Sequence, residues 1–179
     1  MCLRCSYIMG LHSEFAEARA WVADGMNLDQ DVDVNLFECT IRVLGGLMTT
    51  YTLSGDDIFL ERAKDLGERL LPAFNPRSGV PYSDVNLKTH HAHRPKWGPD
   101  SSTSEVTTIQ LEFKELSRLT GDPKYAQHVT DVMRHVDQLP KTQGLVPIFI
   151  NAENGFPIWR CRVFYLLRCV VVVVIFFKY

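Results

Sequence analysis

Glu38 and Arg42 stand four residues apart, the spacing that puts a carboxylate and a guanidinium side by side on one face of a helix. On a surface such a pair contributes about 0.3–0.5 kcal/mol and does nothing else. Here the surrounding segment is unusually apolar. Leu36, Phe37, Ile41, Val43, Leu44, Leu47, Met48 and Tyr51 cover most of the circumference of a helix over residues 35–53, which predicts burial on most sides. Only Glu38, Arg42, Gly45, Gly46 and Thr49 leave a narrow polar or small stripe, so the pair is expected to point into a cavity. Burial raises a carboxyl pKa and a neighbouring guanidinium lowers it. A glutamate balanced between the two suits a general acid, which must hold its proton near neutral pH. Glu38 is therefore a candidate acid, with a plain ion pair as the alternative.

Other reactive side chains have ordinary explanations. Ser102-x-x-Glu105 reads as a capping box, in which the glutamate reaches back to the N-cap amide. His90, His91 and His93 could ligate a metal, but Lys88, Arg94 and Lys96 are interleaved with them, which favours a solvated loop. Cys39 has no histidine placed to activate it and reads as a small buried residue. The five cysteines, Cys2, Cys5, Cys39, Cys161 and Cys169, follow no zinc spacing. No phosphate loop, nucleophile elbow, HExxH pattern or N-glycosylation acceptor occurs.

The elements that position these residues repeat along the chain. Helices are expected over 13–23, 35–53, 56–71, 102–119 and 122–139. The third, fourth and fifth carry single apolar stripes: Phe59, Ala63, Leu66 and Leu70; Val106, Ile109, Phe113 and Leu116; Tyr125, Val129, Val132 and Val136. Leu53-Ser54-Gly55-Asp56 and Leu119-Thr120-Gly121-Asp122 are the same helix-to-helix turn, 66 residues apart. Pro81 and Pro147, each close after a glycine, share that separation. Each unit is a helix, a tight turn, a second helix and a short extended segment. Such units cannot bury their faces alone and must stack on neighbours. The fold class is all-α, an arc of an α/α toroid with short β-hairpin loops; an ordinary helical bundle is the alternative. The loop from Pro72 to Ser101 holds five of the nine prolines. With Tyr82 and Trp97 it could form a sugar-binding wall or simply a packed loop.

Composition narrows the function classes. The 179 residues are 46% hydrophobic and 22% charged with a net charge of −2, so a globular chain is expected and a nucleic-acid partner is not. Residues 1–6 are an atypical end without the apolar stretch of a signal peptide. Residues 157–179 contain no acid, four basic residues and five consecutive valines. That tail is too short for a membrane helix and reads as lying outside the fold, as translated non-coding sequence, leaving 7–156 as the domain.

Several blocks together resemble the class I α-1,2-mannosidases, glycoside hydrolase family 47. They are Val34-Asn35-Leu36-Phe37-Glu38-Cys39-Thr40-Ile41-Arg42-Val43-Leu44-Gly45-Gly46, Tyr82-Ser83-Asp84-Val85-Asn86-Leu87, Ser104-Glu105-Val106-Thr107-Thr108-Ile109-Gln110-Leu111-Glu112-Phe113 and Leu119-Thr120-Gly121-Asp122. The Tyr82–Leu87 wording is similar to the endoplasmic-reticulum type. The resemblance implies an arc of an (α/α)7 barrel and removal of terminal α-1,2-linked mannose from high-mannose N-glycans, with inversion and bound Ca2+. It places the acid at Glu38 and sugar-binding residues at Arg42 and Glu105, against the capping reading of Glu105. It also implies that the remaining carboxylates, the calcium-holding threonine and an N-terminal membrane anchor lie outside this chain, and that the whole protein works in the endoplasmic reticulum or Golgi. On that basis the isolated chain is expected to be inactive and unstable. A non-catalytic oligomannose-binding relative and a purely structural helical repeat are the alternatives.

Overall fold

The computed structural model describes residues 3–96, 98, 101–141 and 144–158. Among them are the helices α1 (Leu3–Ile8), α2 (His12–Ala20), α3 (Leu36–Cys39), α4 (Gly45–Ser54), α5 (Asp57–Leu70), α6 (Thr103–Thr108), α7 (Gln110–Thr120) and α8 (Lys124–Gln138). A π-turn at Trp21–Gly25 prolongs α2, and another at Thr40–Leu44 joins α3 to α4 in one rod. Six short strands form two antiparallel three-stranded sheets. β1 (Asp33–Asn35), β2 (Asp84–Asn86) and β3 (Ala92–His93) make the first, in that order. β4 (Ser101–Ser102), β5 (Phe149–Ile150) and β6 (Pro157–Ile158) make the second.

The repeat read from the sequence holds atom for atom. Gly55 and Gly121 both adopt left-handed φ, +70° and +74°, which spares them the Cβ clash that any other residue would meet. Their amides donate to Tyr51 O at 2.8 Å and Ser117 O at 2.9 Å. Asp56 and Asp122 then open the second helices, accepting from the amides of Ile58 at 3.3 Å and Lys124 at 3.0 Å. At the other end, the Leu36 amide donates to Ser83 O at 2.8 Å and the Thr103 amide to Ile148 O at 2.9 Å. Each sheet thus fastens the start of one helix to the strand that closes the same unit.

At the N-terminal end, residues 3–8 form helix α1, packed on α4 and turned into α2 through Gly10 at φ +69°. This is a further helix hairpin with a left-handed glycine, although Leu11 stands where the other two have an aspartate cap. Arg62 of α5 holds it in place by donating to Val22 O at 3.1 Å and Ala23 O at 2.5 Å, a cation at a helix C-terminus. The residues 159–179 and Trp97 lie outside the described set.

All twelve stripe residues of α5, α6, α7 and α8 named above are buried. Phe113 sits edge-on to Phe74 with centroids 5.3 Å apart. The approach of α5 to its neighbours is closest at Gly67, where a Cβ would lie 2.5 Å from Leu116 Cδ2 and 3.3 Å from Tyr125 Cε1. The α3–α4 rod corrects the sequence reading. Leu36, Leu44, Leu47 and Met48 are buried, but Ile41 and Val43 are each 37% exposed. A π-turn adds one residue to the turn and rotates the stripe after it, so the apolar residues do not share one environment. Gly67→Ala should add about 1 kcal/mol of helix propensity. Because Leu116 is fully buried and cannot swing away, overpacking of about 1–3 kcal/mol should outweigh it. A lower urea midpoint is expected; an unchanged or higher one would refute the close-packing argument.

Candidate active site

Asn35 ends β1 and caps α3, accepting the Glu38 amide at 2.9 Å through its side chain. Ser102 ends β4 and caps α6. Glu38 and Glu105 are each the third residue after their cap, so successive units place a carboxylate at the same point in the first helical turn. Helix N-termini carry partial positive charge and favour anions there. Helices α3 and α6 are in contact, which brings the two first turns together at one end of the arc. The capping box expected at Glu105 is not completed from the serine side, because the Ser102 hydroxyl bonds that of Ser104 at 2.9 Å. Glu105 itself is half-buried.

Arg42 pairs with Glu38 through Nε and Oε2. The expected enclosure of that pair is not found: the side chains are 72% and 48% exposed for Arg42 and Glu38. The flank that carries them, with Ile41 and Val43, has no cover among the described residues. Arg42 nevertheless borders a cleft of about 410 Å³ with Trp21, Ile41, Val43, Gly46 and Leu47. Cys39, one residue from Glu38, is an inert thiol, since burial pushes it up to about 11.

Next to this helix start, one face of the first sheet is a polar ladder. Asp33 pairs in register with Asn86, Asn35 with Asp84, and Asp84 with His93. The Asn86 side chain donates to Asp31 at 2.9 Å and Asp33 at 3.0 Å. His93 Nε2 lies 3.3 Å from Asp33 Oδ2 and its Nδ1 is 2.8 Å from the Arg94 carbonyl. The Arg94 carbonyl first, and then Asp33, hold His93 above its usual value. His93 is thus a structural partner and not simply solvated, and His91 only stacks near it at 5.8 Å. Among the described residues, no three His, Cys, Asp or Glu side chains gather where a metal ion could sit.

One carboxylate was not singled out from the sequence. Glu112 lies seven residues after Glu105, in the first turn of α7. Its Cγ approaches to 3.5 Å of where a Gly45 Cβ would be. Its Oε2 is buried with no hydrogen-bond partner, and burial raises its carboxyl above the usual range. A lone acid off the apolar stripe of its helix reads as surface, so nothing in the spacing marked it.

The sequence matches the family profile of glycosyl hydrolase family 47 over residues 2–161. The human endoplasmic reticulum mannosyl-oligosaccharide 1,2-alpha-mannosidase is 56% identical over 150 residues, covering 83% of this chain and 22% of that protein. A mannosyl-oligosaccharide 1,2-alpha-mannosidase of Arabidopsis thaliana is 48% identical over 160 residues, covering 88% of this chain and 29% of that one. Among solved structures, an alpha-1,2-mannosidase from Trichoderma reesei superposes with a TM-score of 0.76 at 25% identity, covering 88% of this chain and 36% of that chain. The chain spans less than a third of the length of these two curated relatives.

Glu112 offers a test of the site's electrostatics. A carboxyl whose pKa is raised on folding contributes stability below its unfolded pKa, and that contribution is lost as pH rises through the folded value. Glu112→Gln should therefore raise stability at pH 7 by about 1 kcal/mol, with the gain vanishing near pH 4. Melting curves across that range check it; a variant less stable at pH 7 would mean that the carboxylate has a partner.

Proposed function

This chain belongs to glycosyl hydrolase family 47, and we propose that it supplies the acid-bearing side of a site that removes terminal α-1,2-linked mannose from high-mannose N-glycans. The observation that carries this reading is the Glu38–Arg42 pair in the first turns of the α3–α4 rod, beside Glu105 on the neighbouring α6. Hydrolysis with inversion needs an acid that protonates the leaving glycosidic oxygen and a carboxylate that activates water across the sugar ring. Glu38 is assigned the first role. Arg42 orients it and, with Glu105, hydrogen-bonds sugar hydroxyls. The water-activating carboxylate is assigned to the remainder of the whole protein, as is the cover that Glu38 needs to hold a proton.

Calcium enters this reading only at the level of the family. The described residues form no cluster of candidate ligands, so they do not fit a calcium cage of their own and no step is routed through the ion. The partner is a high-mannose N-glycan on a glycoprotein. The compartment we assign is the secretory pathway, with the endoplasmic reticulum preferred to the Golgi because of the names of the relatives above. Among the described residues, no helix is long and apolar enough to cross a membrane; a membrane anchor in the whole protein is part of the same proposal.

The complete protein should release mannose from an oligomannose glycan, with the first-formed sugar of inverted configuration by proton NMR. Glu38→Gln should lower kcat by about 10²–10⁴-fold and change KM much less. The 179-residue chain alone should release none. Turnover by that chain would refute the division of roles made here. Glycan binding by the complete protein without release would replace the hydrolase by a lectin-like reading.

A further inference from the structure

The polar ladder of the first sheet ends on the proposed acid. Asn35 and Asp84 are cross-strand partners in β1 and β2, so their side chains lie on one face of the sheet. The Asn35 carboxamide oxygen is committed to the Glu38 amide at 2.9 Å, which leaves its NH₂ group on the sheet face that it shares with its cross-strand partner Asp84. Strand β2 holds the same helix start a second time, through the bond from the Leu36 amide to Ser83 O at 2.8 Å. We propose that Asp84 is a positioning residue for Glu38, acting through Asn35. Asp84 accepts from the asparagine NH₂, the asparagine oxygen accepts the Glu38 amide, and the pair sets the direction in which the first turn of α3 projects its glutamate. An asparagine cap free to rotate could satisfy the same amide in several orientations; an acceptor at Asp84, its cross-strand partner, would select one.

The groups that face Asp84 are His93 from β3, Asp33 and Asn35 from β1, and Lys96 from the segment after β3. The 3-10 turn Leu71–Phe74, which packs on β2 and β3, brings no charge. Partial burial raises the Asp84 carboxyl above 3.8. Asp33 is held below that value, by Asn86 first, and His93 above 6.5, by the Arg94 carbonyl first, so the three groups are shifted away from one another in direction. Protonating Asp84 weakens its acceptance from Asn35, and the change should reach the amide at position 38.

The inference rests on Glu38 being the acid, but its test needs no turnover. Nitrogen–proton NMR of the complete protein is run on a Glu38→Gln background, which removes the titration of that side chain itself. The amide at position 38 should show an inflection above the ordinary aspartate value of 3.8. Adding Asp84→Asn, which keeps an acceptor for Asn35, should abolish the inflection and leave the amide at its high-pH position throughout. Asp84→Leu should displace the amide, and Asn35→Ala, which removes its acceptor altogether, should displace it further. The proposal is overturned if the inflection is absent, if it survives Asp84→Asn, or if Asp84→Leu leaves the amide unmoved. An undispersed spectrum overturns it as well, because the ladder exists only in a folded chain. A flat titration leaves the glycosidase reading standing, whereas failure of the complete protein to release mannose removes that reading and leaves the coupling intact.

Discussion

The arc depends on a seam of apolar side chains between two layers of helices. Val22, Leu47, Phe59, Phe113 and Val129 are all buried, and each comes from a different segment of the chain. No single hairpin holds enough of them to form a core. A unit is stable only because the next one completes its cover, and this is why the turns, caps and strand contacts recur so closely. Stacking fixes the angle between units, and the angle fixes where the first turns of α3 and α6 meet.

The one-sided helices were legible in the sequence because a helix with solvent on one face writes its stripe at a constant period. Phe59 to Leu70 and Tyr125 to Val136 needed nothing else. The α3–α4 rod was legible as a helix but not in its burial. Its π-turn at Thr40–Leu44 shifts the phase midway, and two narrow stripes then look like one broad one. Helix α1 was missed because six residues hold too few turns to show a period, and only the left-handed Gly10 marks the hairpin. The candidate site was legible in part. Glu38 and Arg42 pair as their spacing requires, and the resemblance was needed to move Glu105 from cap to site. Asp84 and His93 could not be found by spacing, since a sheet register brings them to Asn35 from residues far along the chain.

The glutamates also separate by environment. Glu38 sits in an open first turn against a guanidinium, while Glu112 keeps one oxygen buried without a partner among the described residues. A half-buried carboxyl between α4 and α7 costs stability when ionised, whereas the Glu38 carboxylate is offset by its guanidinium partner.

The equal spacing of the left-handed glycines also has a meaning in time. Gly55 and Gly121 are 66 residues apart, so a ribosome adding about 5–20 residues per second makes the second turn roughly 3 to 13 seconds after the first. Throughout that wait the hairpin around Gly55 has all of its own residues, yet its flank toward Phe113 and Leu116 is bare. Each unit is therefore made as a sticky intermediate whose lifetime is written in the length of the loop and sheet between turns. Shortening that loop would hasten the cover, at the cost of the strands that hold Asn35 and Asp84 in register.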